Sequence, residues 1–355
     1  MYSTASAYQI YKTCVNTSSS SPKSTKKTKL WTVQEVEDPV DVGKGVFAHR
    51  TLNPGELIMT ATPEFALDQH EGRPITSVAI FEEFLKFDRT NRDRYWDLPP
   101  AKSSEHFPDY IVELSTACDE DGKALFPLQN TGSGGRVVAI FHENAFEFED
   151  AKDWTMKGIF IDAARFNHSC TPNACFTYIK RTNKLEIRAL TEIPIRTEIF
   201  IPYIPLLKKP ATRRQLPMDQ FGFECRCKAC DRHTNFANES AYRRNQLEIM
   251  DFERTEPPAH KQRKTCWDII ELMEEEGLLG WEKGAVHEQL AKLYEEQDDN
   301  ESALEQIRET ARIARLCFGP RHAFARKWEE KRRNAELRAG IKGGAAGDGE
   351  EMEAD

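Results

Sequence analysis

The 355-residue chain contains no run of about 18 apolar residues, the length that a membrane-crossing helix needs. Met1 to Ser20 also lack the apolar block of a signal peptide, so a soluble intracellular protein, in the nucleus, the cytoplasm or both, is expected, with no membrane partner. Cysteine is sparse and odd in number, nine in all, which speaks against a disulfide framework and makes metal ligation the better account of any clustered subset. Positive charge is in deficit. The formal net charge of −9 argues against a general nucleic-acid binder, because neutralising phosphates takes grouped Lys and Arg. A cationic partner, such as a lysine-bearing protein, suits that sign better. What the chain does have is 39% hydrophobic residues, enough for a sizeable core divided among two or three packed units.

Residues 1–30 are rich in Ser, Thr and Lys and are expected to form a disordered arm, whose lysines fit either a nuclear-import signal or a solvated tail. From Trp31 short strand-like runs begin. Val46 to Ala48 and Leu57 to Ala61 have strand composition, and Asn53-Pro54-Gly55 between them is a turn signal. Residues 68–136 have the texture of an insertion, with a helix expected around Val78 to Phe87 and a flexible "NTGSGG" at 130–135. Strand texture returns in "ACFTYI" at 174–179, "KLEIRAL" at 184–190 and "EIFIPYI" at 198–204. In the second of these Leu185, Ile187 and Ala189 alternate with Glu186 and Arg188, the period of a half-buried strand. Pro202 removes a backbone donor and predicts an end or a bend in the third.

After Arg232 the period becomes helical. Cys266, Ile269, Ile270 and Met273 form one stripe, Val286, Leu290, Leu293 and Tyr294 a second, and Leu304, Ile307, Ala311 and Ala314 a third that stops at Gly319-Pro320. Residues 284–318 resemble one tetratricopeptide unit, which cannot cover its own apolar face and is expected to pack on its neighbours as a cap. The last stretch, 339–355, reads as a disordered acidic tail.

"CRCKAC" places Cys225, Cys227 and Cys230 within six residues. Three thiols so close can converge on one ion, and Zn²⁺ favours tetrahedral thiolate sites. A fourth ligand must come from a distance, and Cys170 is the candidate, giving one structural zinc held by Cys170, Cys225, Cys227 and Cys230. Cys14, Cys118, Cys175, Cys266 and Cys317 are scattered and are assigned to ordinary packing.

Four stretches then combine: "GKGVFA" at 43–48, "NHSCTPN" at 167–173, "EIFIPY" at 198–203 and "FECRCKAC" at 223–230. In wording and order they resemble the SET-domain protein-lysine methyltransferases, and the layout is similar to the SET-and-MYND group without its MYND zinc finger, since residues 68–136 hold only Cys118. The resemblance implies an α+β fold: a β-rich SET core of small sheets with a pseudoknot, its halves at 31–67 and 137–205 split by the insert at 68–136. A zinc-binding post-SET segment at 206–233 and an all-α C-terminal domain at 234–338 follow. It implies S-adenosylmethionine as methyl donor, a histone or non-histone protein lysine as acceptor, and a monomer.

The same resemblance implies site residues. Tyr203 is the catalytic candidate, with its hydroxyl near the transferring methyl and the attacking nitrogen. Cofactor contacts are implied for Gly43, Lys44, Gly45, Asn144, Ala164, Arg165, Phe166, Asn167, His168, Tyr203 and Phe223. Asn144 lies in "HENAF", matched to a strand that touches the methionine end of the cofactor. Asn167 and His168 are matched to backbone and side-chain contacts with the adenine and amino-acid portions. Phe223 covers either the adenine or the lysine channel, or only anchors the thiol loop. Arg165 stands where an apolar residue is common, and its role is open.

Rival readings are weaker on the residues themselves. "GKGVFA" also fits the dinucleotide pattern G-x-G-x-x-A, but Pro54-Gly55 follows too closely for the helix that pattern requires. Ser169 has no acid partner in sequence for nucleophilic work. The alternative from another class is an inactive SET scaffold that binds protein partners through its C-terminal helices.

Overall fold

The computed structural model describes residues 30–36, 43–69, 74–99, 107–150, 152, 154–253 and 259–340. The arm expected at 1–30 and the tail expected at 339–355 therefore lie outside the described residues, except for residues 30, 339 and 340. Among the described residues no helix is long and apolar enough to cross a membrane.

Among the described residues eight strands form three antiparallel sheets. In chain order they are β1 (Trp31–Val36), β2 (Gly43–Ala48), β3 (Leu57–Ala61), β4 (Phe65–Asp68), β5 (Ala145–Glu149), β6 (Thr155–Ile159), β7 (Ala174–Ile179) and β8 (Lys184–Ala189). β1 pairs with β2, from Trp31 opposite Ala48 to Val36 opposite Gly43. β8 lies between β3 and β7, and β6 between β4 and β5. The alternation in β8 works as its pattern requires. Leu185, Ile187 and Ala189 are fully buried, while Arg188 and Glu186 turn away from the core and pair at 2.6 Å.

"EIFIPYI" is not a strand, although its composition is that of one. It makes only two isolated bridges, Glu198 with Phe47 and Ile201 with His168. Its backbone changes partner residue by residue. The Ile199 amide donates to Val46 O at 2.7 Å, the Phe200 amide to Asn173 Oδ1 at 2.8 Å and the Ile201 amide to Asn167 O at 3.0 Å. The segment is thus wedged between β2 and the 167–174 loop, with these three amides each satisfied by a different neighbour and no ladder built. Ile199 and Ile201 are fully buried in the same core as Trp31, Val46, Phe166 and Ile187.

Among the described residues four helices follow β4 and precede β5: α1 (Ser77–Leu85), α2 (Arg89–Trp96), α3 (Phe107–Thr116) and α4 (Leu128–Asn144). Their core joins Ile80, Phe81, Phe84, Tyr95, Leu114 and Phe141 to Phe65 of the sheet. The flexible stretch expected at 130–135 is corrected here: it is helical, inside α4, which also runs across residues 136 and 137, where composition suggested a junction. Local propensity disfavours glycine in a helix, but packing overrides it. A Cβ on Gly134 would lie 2.7 Å from Leu114 and 3.2 Å from the Phe81 ring, so only glycine lets the helices approach this closely. "HENAF" is corrected likewise, because Asn144 closes α4 and the strand begins at Ala145.

The remaining helices are α5 (Pro210–Phe221), α6 (Asn235–Glu253), α7 (Ala259–Glu276), α8 (Trp281–Glu295), α9 (Asn300–Phe318) and α10 (Ala323–Arg338). The α7 stripe, with Val286, Leu290 and Leu293 of α8, closes over Leu206 and Leu247. α9 stops at Gly319, at φ +81°, and its Ile313 and Cys317 pack on Leu190 beside β8. α6 is tied to the β-rich core by charge as well as by apolar contact. Fully buried Arg244 donates to Cys170 O at 2.7 Å and to Leu206 O, and its Nε reaches Glu276 of α7 at 3.0 Å. Glu276, itself fully buried, also accepts from Arg243 at 2.7 Å and from Ser240.

Gly134→Val forces α3 and α4 apart, and overpacking of this kind costs about 1–3 kcal/mol. Urea denaturation is expected to show a lower midpoint, and an unchanged midpoint would contradict the packing described for α4.

Candidate active site

Cys170 follows a 3₁₀ turn at Ala163–Arg165, and Cys225, Cys227 and Cys230 follow α5. Their four sulfurs lie within 4.8 Å of one another. Cys170 Sγ is 3.9 Å from Cys225 Sγ and 3.6 Å from Cys230 Sγ, and the Cys170 amide points at Cys227 Sγ. Apolar Ile204, Ala229 and Phe236 surround them. Contact with the Cys170 thiol, then with Cys227 and Cys230, pushes Cys225 up, while contact with Cys170, then with Cys225 and Cys230, holds Cys227 down. Four converging sulfur donors suit Zn²⁺.

The surroundings are those of an anionic cluster. Arg213 is fully buried, which is costly for a cation without a counter-charge, and its Nη1 faces Cys230 Sγ at 3.7 Å. His168 Nε2 is 3.4 Å from Cys170 Sγ. The four cysteines therefore fit a structural zinc. Of the other cysteines, Cys118 is exposed and Cys266 is buried in α7, while Cys175 contacts the carbonyl of Cys317. Cys14 lies outside the described residues.

Beside the cluster opens a cavity of about 880 Å³. Gly43, Lys44, Asn144, Ala164, Arg165, Asn167, His168, Tyr203 and Phe223 line it. Gly45 and Phe166 stand behind its wall. A Cβ on Gly45 would lie 2.2 Å from Glu198 Oε1, so the glycine makes room for that carboxylate. Phe166 is in the core, and its carbonyl accepts the Tyr203 hydroxyl at 2.5 Å. The Tyr203 ring packs against His168, Phe221 and Phe223, with centroids 5.4, 5.2 and 6.3 Å away. Burial, reinforced by Glu198, pushes the phenol above its ordinary value, so it stays protonated at neutral pH.

The Asn167 and His168 side chains are occupied within the protein. Asn167 Nδ2 donates to Glu198 Oε1 at 2.8 Å and to Lys44 O at 3.2 Å. His168 Nδ1 accepts the Tyr203 amide at 3.0 Å. An amide can only donate, so a neutral ring carries its proton on Nε2, facing Cys170 Sγ. Asn144 Nδ2 is likewise used, on Ile140 O at 2.8 Å and Pro99 O at 3.0 Å.

Several residues of the site escaped the sequence reading. Asp97, at the end of α2, accepts Lys44 Nζ at 2.7 Å and Arg165 Nη2 at 2.8 Å, while Arg165 Nη1 donates to the Asp97 carbonyl. This gives Arg165 a role: with Lys44 it ties the insert to the cavity rim. The hydrogen bond from Lys44, then the charge of Arg165, holds Asp97 below the usual carboxylate range. No motif marks Asp97, which is 53 residues from Lys44. Glu198 is the first residue of "EIFIPY", and nothing in that stretch marks it as a cavity residue. Burial raises it against the pull of Asn167. Glu143 also lines the cavity, and burial pushes its carboxyl up to about 8. Phe221 carried no signal beyond its nearness to "FECRCKAC".

The family model described as the SET domain matches residues 43–204. The chain is 30% identical over 158 residues to the histone-lysine N-methyltransferase set5 of Schizosaccharomyces pombe, covering 44% of this chain and 48% of that protein. It is 38% identical over 164 residues to the N-lysine methyltransferase SMYD2-B of Xenopus laevis, covering 44% and 37%. The matched stretches thus span less than half the length of these relatives. A solved SET domain of LSMT bound to lysine and AdoHcy aligns over 88% of this chain and 89% of its own, at 12% identity and a TM-score of 0.39, too slight a likeness to build on.

Two outcomes are expected from this geometry. Protein purified without chelator carries about one zinc per chain by elemental analysis, and Cys225→Ser loses it and melts at a lower temperature. In the second, Glu143 retains a proton in the folded chain that the unfolded chain, titrating near about 4.3, has released. Its contribution to stability is full below that value and declines until pH reaches about 8. Relative to the wild type, Glu143→Gln is expected to gain in melting temperature as pH rises across this window. A difference independent of pH would show that Glu143 is not a buried acid.

Proposed function

Because residues 43–204 are a SET domain, we propose that this chain transfers a methyl group from S-adenosylmethionine to a lysine amine of a protein substrate. The observation that carries this reading is Tyr203. Its neutral hydroxyl is pinned to the Phe166 carbonyl, and its ring stands in the cavity wall with Phe221 and Phe223, next to the loop clasped by the thiol cluster. The bound cofactor supplies an electrophilic methyl on a sulfonium; position, desolvation and charge placement fall to the protein.

Lysine is protonated at neutral pH, with a reference value of about 10.4, and an ammonium has no lone pair to attack with. Walls made of Tyr203, Phe221 and Phe223 disfavour the charged form, so the amine gives its proton to water on entry. Tyr203 then orients the neutral amine through a hydroxyl that donates or accepts without ionising. Its position is held at three points: the hydroxyl by Phe166, the amide by His168 and the ring by Phe221. Lys44, Asn167 and the loop at 164–168 form the side of the cavity assigned to the cofactor. The insert, through Asp97 and Glu143, and the segment around the thiols, through Phe223 to Lys228, form the walls between which the substrate is assigned to lie. A lysine-bearing protein fits this acidic chain, and the names of the set5 and SMYD2-B relatives, as histone-lysine and N-lysine methyltransferases, support the same acceptor.

Incubation with methyl-labelled S-adenosylmethionine and cell extract, with mass-spectrometric identification of the modified lysine, tests the proposal. Tyr203→Phe is expected to lose about a hundredfold or more in transfer. Its cofactor affinity, measured by calorimetry, is expected to stay within a few fold. Undiminished transfer by the variant would refute the role of Tyr203, and no labelling by the wild type would favour an inactive scaffold.

A further inference from the structure

On the outer side of the C-terminal helices, α7, α8 and α9 enclose a groove of about 540 Å³ that shares no residue with the cavity around Tyr203. Its walls are acidic, and its cations are already used. Lys283 is paired with Glu274 at 2.5 Å, and Arg308 is paired outside the groove with Glu336 at 2.8 Å. Asp268 and Glu309 have partners on their own helices, Lys264 and Arg312. Glu271 on α7 and Glu305 on α9 are exposed, and neither has a partner among the described residues.

Acidic residues alone mark only a solvated face, but a second feature points to a ligand. His287 of α8 lines the groove and is only 4% exposed. Its Nδ1 faces Gln306 Oε1 at 2.8 Å, and its Nε2 has no partner. The Gln306 oxygen accepts from Nδ1–H, which leaves Nε2 as an unpaired acceptor buried in the groove wall. Burial holds the ring below its ordinary value, so it adds no positive charge to the groove at neutral pH. Above it the indole of Trp267, 40% exposed, stands edge-on to the imidazole at 6.5 Å and is steadied by a hydrogen bond from its Nε1 to the Tyr294 hydroxyl.

Two unpaired carboxylates on facing helices, an exposed indole and an unused acceptor together call for a flat cation with several donors. Guanidinium meets that description better than ammonium, because it stacks on indole and forks between acceptors. Phosphate-bearing partners are repelled by the same charges. We propose that the α7–α9 groove docks an arginine-bearing basic segment of a partner protein, held by Glu271, Glu305 and Trp267 over His287.

Fluorescence anisotropy with the full chain and a short labelled peptide, rich in arginine and free of lysine, tests this without cofactor, so its result is independent of the catalytic reading. The wild type is expected to bind at low salt. Glu271→Gln with Glu305→Gln is expected to weaken binding by about tenfold or more. Glu82→Gln with Glu120→Gln, the same loss of charge on exposed residues far from the groove in sequence, is expected to leave it unchanged, as is Tyr203→Phe. Absence of binding by the wild type overturns the proposal. So does equal weakening by the two double variants, which would mean attraction to net charge alone, or weakening by Tyr203→Phe, which would place the peptide in the catalytic cavity.

Discussion

The meeting of Cys170 with Cys225, Cys227 and Cys230 is the constraint on which the rest of the site depends. It joins a loop in the β-rich core to a segment more than fifty residues later, and both line the same cavity. The two sides are held in register by more than sulfur. His168 spans from the Tyr203 amide to Cys170 Sγ, so the tyrosine backbone and the thiol loop move together or not at all. Arg213 and Arg244, both removed from water, supply cationic donors to the Cys230 sulfur and the Cys170 carbonyl. An ion bound there would brace two walls of one cavity.

Charge in the cavity is graded. Asp97, gripped by Lys44 and Arg165, is a firm anion at the rim, whereas Glu198 and Glu143 are pushed up by burial and ionise reluctantly. The charge of Asp97 is matched by those two cations, so the rim is a closed ionic clamp and not a free negative charge.

The parts legible in the sequence were those governed by local pattern. β7 coincides with "ACFTYI", β8 follows the alternation of Leu185, Ile187 and Ala189, and the three helical stripes are buried as their spacing requires, save for half-buried Tyr294. The α+β architecture read from those patterns is the one observed. Readings went astray where distant contacts outweighed local preference. The glycines of 130–135 are helical because Leu114 and Phe81 press against them, and residues 198–204 fail to form a strand because their amides are shared between two neighbours. In the site, the closely spaced thiols were recognisable from spacing alone. Asp97 was not, because its importance lies in a contact with Lys44 that nothing local announces. The use of the His168 ring is invisible for the same reason: its composition reveals an imidazole but not which atom each nitrogen faces.

The buried group of Arg244, Arg243, Ser240 and Glu276 has a consequence for how this architecture can change. A helix that rests on a core through apolar contact alone can be exchanged for another of similar shape. Here α6 completes hydrogen bonds that begin on Cys170 and Leu206, so its removal would strand two carbonyls and an unpaired acid in a dry interior. The helical region and the thiol loop are therefore coupled, and a chain without α6 would need new donors for the carbonyls of Cys170 and Leu206.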